Sequence, residues 1–176
     1  MTSEIIEKTK QNLYLFYMAF VASNFTDIVE AKHIYTLSKH LTCLAYNDNY
    51  PDRLCVAMPP QHSKSSIVTL AYSVWLICRN PNLRILIVNA EKELSTSFGI
   101  AIRTLFYNVS PYFNLKVSNV KSSSTHLMFE RNGELCNGEI RLTGASGSIT
   151  GHPADIIIVD DPYKGLEDEF TPTQLN

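Results

Sequence analysis

Apolar positions recur at three- and four-residue spacing over residues 3–22 and again over 28–46, which predicts two N-terminal helices. A cluster of Asn, Asp and Pro at 47–52 reads as a turn. Beyond it the pattern changes. Residues 53–58, RLCVAM, form a short β-type run, and 63–80 are helix-like until Pro81 stops them. Residues 83–90, LRILIVNA, are apolar on both faces, as in a buried parallel strand. A helix follows over 91–108, with acidic residues in the first turn where the helix dipole favours them. The pattern then predicts a β-hairpin over 124–144 around RNGE, a glycine- and serine-rich loop over 145–154, and a strand, DIIIVD, over 155–160.

Strand, helix, strand, helix and a late apolar strand indicate an α/β fold with a mainly parallel central sheet flanked by helices. The boundary falls after a helical part at 1–50, with the core over 51–176. Ligands of such sheets bind at the carboxyl ends of the strands. Two polar stretches lie there: MPPQHSKSS at 58–66, and the aspartates that close DIIIVDD.

Composition narrows the picture only a little. The chain has 176 residues, 45% of them apolar, enough for a substantial core. Its 15 basic and 17 acidic residues are dispersed, so composition alone gives no charge footprint for nucleic acid, and any such contact would be local or made by something outside this chain. Cys43, Cys55, Cys78 and Cys136 are scattered with no CxxC pair, which favours reduced, buried thiols over a disulfide frame or a zinc site. The apolar stretch 13–22 is too short to span a membrane and follows Glu4 and Glu7, so it reads as a packed helix rather than a signal segment.

Holding a nucleoside triphosphate takes backbone N–H groups at a helix start, a lysine for the phosphates, a hydroxyl for Mg²⁺ and a carboxylate on a neighbouring strand. Lys64, Ser65 and Asp160 fill the last three roles in order, and Asp161 would orient or deprotonate an attacking water. A Lys-Ser pair alone is usually a solvated helix start, and a strand ending in Asp-Asp is usually a cap or a turn. The combination carries the reading.

These residues resemble a known family, the large terminase subunits of tailed bacteriophages, the ATPase motors that package DNA. The family's phosphate loop commonly reads P-P-R-H-G-K-S, and this chain has PPQHSKS at 59–65. GSITGHPADIIIVDDP, at 147–162, is similar to the family's G-x-x-x-G-x-x-A-D-x-x-I-x-D-D-P, and the resemblance extends over about 28–170. It implies a P-loop NTPase fold of the ASCE type, with ATP and Mg²⁺ as cofactors. The loop residues Pro60, Gln61, His62, Ser63, Lys64, Ser65 and Ser66 would bind the phosphates. Ser65 and Asp160 would hold the metal, and Lys64 and Asp161 would be catalytic. The implied partners are double-stranded DNA, a small terminase subunit and a portal protein. The working form would be a homo-oligomeric ring in the host cytoplasm, transiently at the procapsid portal, with no membrane contact.

Several features depart from the family pattern. Ser63 stands where the family has glycine, and Gln61 replaces an arginine. Thr150 stands where many members carry an arginine that acts on a neighbouring subunit; Arg103 and Arg141 are the nearby arginines, and neither is assigned that role. The catalytic carboxylate is often Glu, whereas here it is Asp161, with Glu167 and Glu169 as more distant substitutes. The family's nuclease domain does not follow, so the chain reads as an amino-terminal ATPase part that does not cut DNA. Two rival readings stay open: a helicase-like nucleic-acid ATPase, against which both motif spellings argue, and a silent assembly module whose altered loop no longer holds ATP. Among other residues, Trp75 reads as core rather than base-stacking, His62 as shaping the loop, and His33, Tyr35 and His40 as core or surface rather than adenine contacts.

Overall fold

A computed structural model describes residues 2–22, 31–46, 49–119, 121–147 and 151–162. The N-terminal stretch forms two helices rather than one, α1 (Ser3–Gln11) and α2 (Leu13–Phe20). Asn12 breaks them: its backbone is extended and its side chain accepts a hydrogen bond from the Leu15 N–H as an N-cap. The buried residues of α2 are Leu13, Phe16, Tyr17 and Phe20, one face of a helix. Helix α3 (Lys32–Tyr46) buries Ile34, Leu37, Ser38 and Leu41. A helix then runs through a π-helical segment, Ser66–Tyr72, directly into α4 (Ser73–Arg79). Strand β1 (Arg84–Asn89) leads to α5 (Lys92–Phe113), β2 (Lys116–Val117), β3 (His126–Arg131), β4 (Glu134–Gly144) and β5 (Ile156–Asp160).

The strands form a single sheet in the order β2-β3-β4-β1-β5. β1 pairs in parallel with β4 and β5, but β3 runs antiparallel to β4 and β2 antiparallel to β3. The sheet is therefore mixed, and the expectation of a mainly parallel one is corrected. The cause is the hairpin itself. Asn132 and Gly133 adopt φ of 55° and 85°, the left-handed pair of a tight hairpin turn, and any such turn reverses the chain.

Three further readings change. Residues 53–58 join no ladder; they run extended with Leu54, Val56 and Met58 half-buried and the residues between them exposed. The alternation there is real, but it lays the segment against the core instead of pairing it. Helix α5 continues past 108 through Pro111 to an Asn114 cap at φ 50°, because Phe113 is buried against Phe16 and Phe20. Only Cys78 of the four free cysteines is buried, and Cys55 is exposed.

All described helices contribute to one core with one face of the sheet: Ile85 and Ile87 of β1, Leu127 and Phe129 of β3, Ile140 and Leu142 of β4, and Ile158 of β5. Trp75 lies at its centre, fully buried, with its indole N–H donating to Thr9 O at 2.9 Å, as the core reading expected. The Arg79 guanidinium closes that pocket 3.5 Å from the Tyr46 ring centroid. The opposite face of the sheet is polar around Glu139, which receives His126 Nε2 at 2.7 Å and Arg141 Nε at 2.6 Å. At its edge, Ile157 and Val159 of β5 are 61% and 58% exposed. Among the described residues no helix is long and apolar enough to cross a membrane.

The register of β5 is set at its start by a reciprocal clamp. Arg84 N–H donates to Asp155 Oδ2 at 2.9 Å and Asp155 N–H donates to Arg84 O at 2.8 Å. The Arg84 guanidinium adds Nε to Oδ2 at 3.1 Å and Nη2 to Oδ1 at 2.6 Å. These bonds hold the Asp155 carboxyl at about 2, below its usual 3.8. A depressed acid contributes stability above its unfolded pKa and loses it as pH falls through the folded value. Asp155→Asn should therefore lower the thermal midpoint at pH 6, and the gap from wild type should close as pH falls from about 4 to 2. A gap that persists at pH 2 in parallel melting curves would contradict this account of the clamp.

Candidate functional site

With Asp155 fixed, β5 pairs residue by residue with β1 and Asn89 stands opposite Asp160. The period of two that turns Ile156 and Ile158 to the helix face also turns Asp160 there, so the aspartate takes what is otherwise a core position and is only 5% exposed. The chain leaves the strand at once: Asp161 has φ 45° and projects its carboxylate into solvent. The two aspartates thus differ in setting, one buried beneath a helix and one at the mouth of the cleft.

The loop at 59–63 arrives over these carboxylates. Gln61 and Ser63 both have φ of 62°, in the left-handed region that a Cβ disfavours. The glycine that the resembled loop carries in place of Ser63 therefore corresponds to a conformational demand this chain meets at some cost. His62 bonds Pro60 O through Nδ1 at 2.7 Å, which is the loop-shaping role expected of it. Its ring also lies 5.6 Å from that of His33. The helix begins directly after the loop, and Ile67 N–H donates back to Ser63 O at 2.9 Å. From below, the buried Tyr17 phenol lies against Ser63 without a hydrogen bond of ordinary geometry, and burial pushes its pKa up.

Lys64, the first residue of that helix, reaches both aspartates. Its Nζ lies 2.5 Å from Asp161 Oδ1 and 3.6 Å from Asp160 Oδ1. The hydrogen bond to Asp161, with the charge of both carboxylates, raises the lysine pKa above 10.5 despite partial burial. A raised lysine keeps its contribution below its unfolded pKa and loses it only above the folded one, so the contact is intact across neutral pH.

The residues that hold Asp160 are ones sequence reasoning missed. Thr69 Oγ1 donates to Asp160 Oδ2 at 2.7 Å, both side chains being buried. Asn89 Nδ2 donates to Asp160 O at 3.4 Å, and Asn89 Oδ1 accepts from Ser95 Oγ at 3.2 Å. Thr69, Asn89 and Ser95 are all fully buried. A polar residue inside an apolar run was the available signal: Thr69 within IVTLAY, and Asn89 at the end of ILIV. Ser65 is half-buried beside Lys64, and among the described contacts it is Thr69, not Ser65, that bonds Asp160. Pro60 is exposed at the loop's outer turn, and Ser66 opens the π-helical segment.

Other candidates lie elsewhere. Tyr35 packs edge-on against Tyr14, and His40 Nδ1 meets the Tyr50 hydroxyl, so both are surface contacts. Arg103 donates to Ser123 O and Arg141 is bound to Glu139, so each is committed away from the cleft. Thr150, Glu167 and Glu169 lie outside the described residues. Lys64, Asp160 and Asp161 line one end of a cleft of about 940 Å³ of mixed polar and apolar lining, which runs between α3, the 53–56 segment and β5.

The loop strain gives a prediction with a sign. Ser63→Gly should leave stability unchanged or raise it by up to about 1 kcal/mol, since relief of a left-handed Cβ at roughly 1–2 kcal/mol outweighs the entropy of the added glycine. Ser63→Val should lose at least about 1 kcal/mol, its branched Cβ being worse placed at φ 62°. Urea unfolding of the two variants decides it, and a glycine variant less stable than wild type would show that the loop is unstrained.

No family model and no solved structure matches the chain. Among curated proteins it is similar to the terminase large subunit of Enterobacteria phage T3, 34% identical over 99 residues. That stretch is 54% of this chain and 17% of the phage protein, so the chain spans well under two thirds of that relative. The resemblance to the large terminase subunits is borne out to this extent: about half of this chain is similar to part of a phage terminase large subunit.

Proposed function

We propose that the chain is a P-loop ATPase unit of a DNA-packaging motor, binding MgATP at the 59–66 loop and using its hydrolysis to move double-stranded DNA. The observation that carries the reading is the convergence of Lys64 with Asp160 and Asp161 from positions 97 residues apart in the case of Asp161, at a helix start and a strand end. The similarity to a terminase large subunit supports the DNA-packaging part of this reading.

The residues suit the ligand. A lysine, the Ser65 hydroxyl and a buried carboxylate make a hard-oxygen and ammonium set of the kind that divalent cations and phosphates share. Mg²⁺, when bound, would neutralise phosphate charge, with Ser65 and Asp160 as its protein ligands. Pro60, Gln61, His62, Ser63 and Ser66 would offer backbone and side-chain groups to the phosphates beside Lys64. Lys64 is hydrogen-bonded to Asp161, and a phosphate that engages the lysine would take it from the carboxylate. That exchange frees Asp161 to accept a proton from water, and it links occupancy of the site to readiness for chemistry. A small terminase subunit, a portal protein and a ring of identical copies complete the proposed motor, at the procapsid portal in the host cytoplasm.

MgATP at about a hundred times its dissociation constant should stabilise the chain by roughly 2.7 kcal/mol. For a domain of this size that is a rise in Tm of about 5–10 °C. Lys64→Ala should abolish the rise. Absence of a shift in the wild type would favour the silent assembly module, a reading that the non-glycine loop at Gln61 and Ser63 supports.

A further inference from the structure

Thr69 makes a contact that no role assigned so far explains. In a helix a threonine hydroxyl commonly bonds the carbonyl of the preceding turn. Here the Thr69 hydroxyl turns away from its own helix and donates to Asp160 Oδ2 at 2.7 Å. The local helix is adapted to this: the segment is π-helical, and Ser73 Oγ donates to Thr69 O at 2.6 Å and to Leu70 O at 3.1 Å. Neither Thr69 nor Asp160 is reached freely by solvent, at 0% and 5% exposure, so water cannot substitute for the bond.

The consequence is a carboxylate with two unlike oxygens. Oδ2 is occupied by Thr69, while Oδ1 faces Lys64 at 3.6 Å. Rotation of the carboxylate would exchange the oxygens only by breaking the buried bond. Asn89, donating to Asp160 O, fixes the backbone beneath. We infer that Thr69 is the positioning residue of the site, locking the Asp160 carboxylate so that one defined oxygen is presented to a divalent cation. This rests on the MgATP reading above. Mg²⁺ demands near-ideal geometry from its ligands, so an unlocked carboxylate should weaken the metal more than the nucleotide. Groups that orient a metal ligand typically change metal affinity by roughly 10–100-fold.

The test compares Thr69→Val, which keeps the shape and removes the hydroxyl, with Thr69→Ser, which keeps the hydroxyl. At fixed ATP, thermal stabilisation is followed as Mg²⁺ is titrated, and ATP alone is measured in EDTA. Melting curves without ligand confirm that each variant is folded. The Mg²⁺ concentration for half-maximal stabilisation should rise at least about tenfold in Thr69→Val. It should stay near wild type in Thr69→Ser, with the response to ATP in EDTA the same in all three. A Thr69→Val titration that overlays wild type overturns the role of Thr69 alone, as does equal loss with and without Mg²⁺, or Thr69→Ser failing like Thr69→Val. A wild type that responds to neither ATP nor MgATP instead overturns the nucleotide reading, and the inference with it.

Discussion

The arrangement depends on the parallel register between β1 and β5. Backbone pairing alone allows a strand to slip, and a slip of one residue would turn every side chain of β5 to the other face of the sheet. The Arg84–Asp155 clamp removes that freedom by joining backbone and side chain of both residues in one reciprocal set. Asp160 then falls on the helix side, under Thr69 and beside Asn89, and Asp161 falls outside it next to Lys64. A shift of one position would bury Asp161 and Val159 and expose Asp160. The chemistry of the cleft is in this sense decided five residues earlier, at the opposite end of the strand.

Much of this was legible in the sequence, and what was missed has a common cause. Hydrophobic period gives an element's type and its buried face, and so the helices, the β1 run, the hairpin and the DIIIVD strand could be read directly. It carries no information about a strand's partner or direction. The tight turn at Asn132–Gly133 is legible in the sequence, but that its hairpin joins the same sheet as β1, and so makes half of it antiparallel, is not. Residues 53–58 alternate as a strand would, but alternation marks an extended chain with one side buried, whether or not a ladder forms.

The site divided along a similar line. Lys64, Asp160 and Asp161 announced themselves by residue type at element ends, and the structure brings all three together. Thr69, Asn89 and Ser95 did not, because a single polar residue in an apolar run is indistinguishable from a tolerated core substitution until its partner is known. Ser63 departs from the resembled glycine in spelling, and its left-handed φ supplies the physical reason why that position favours glycine.

The strand order also bears on how the molecule comes together. The β3–β4 hairpin closes over a short loop and can form from local sequence, whereas β1 must meet partners that are not yet made when it leaves the ribosome. The turn leading into β1 meets β4 across 55 residues at Asn82 and Asn137, and β1 meets β5 across 71 at Asn89 and Asp160. Long closures of this kind are entropically late events. Lys64 therefore waits through the synthesis of the next 97 residues before Asp161 exists, and the cleft forms only once β5 has docked. Competence at the site and docking of β5 become a single event, so a chain that has folded only its hairpin and helices carries the loop but none of its chemistry.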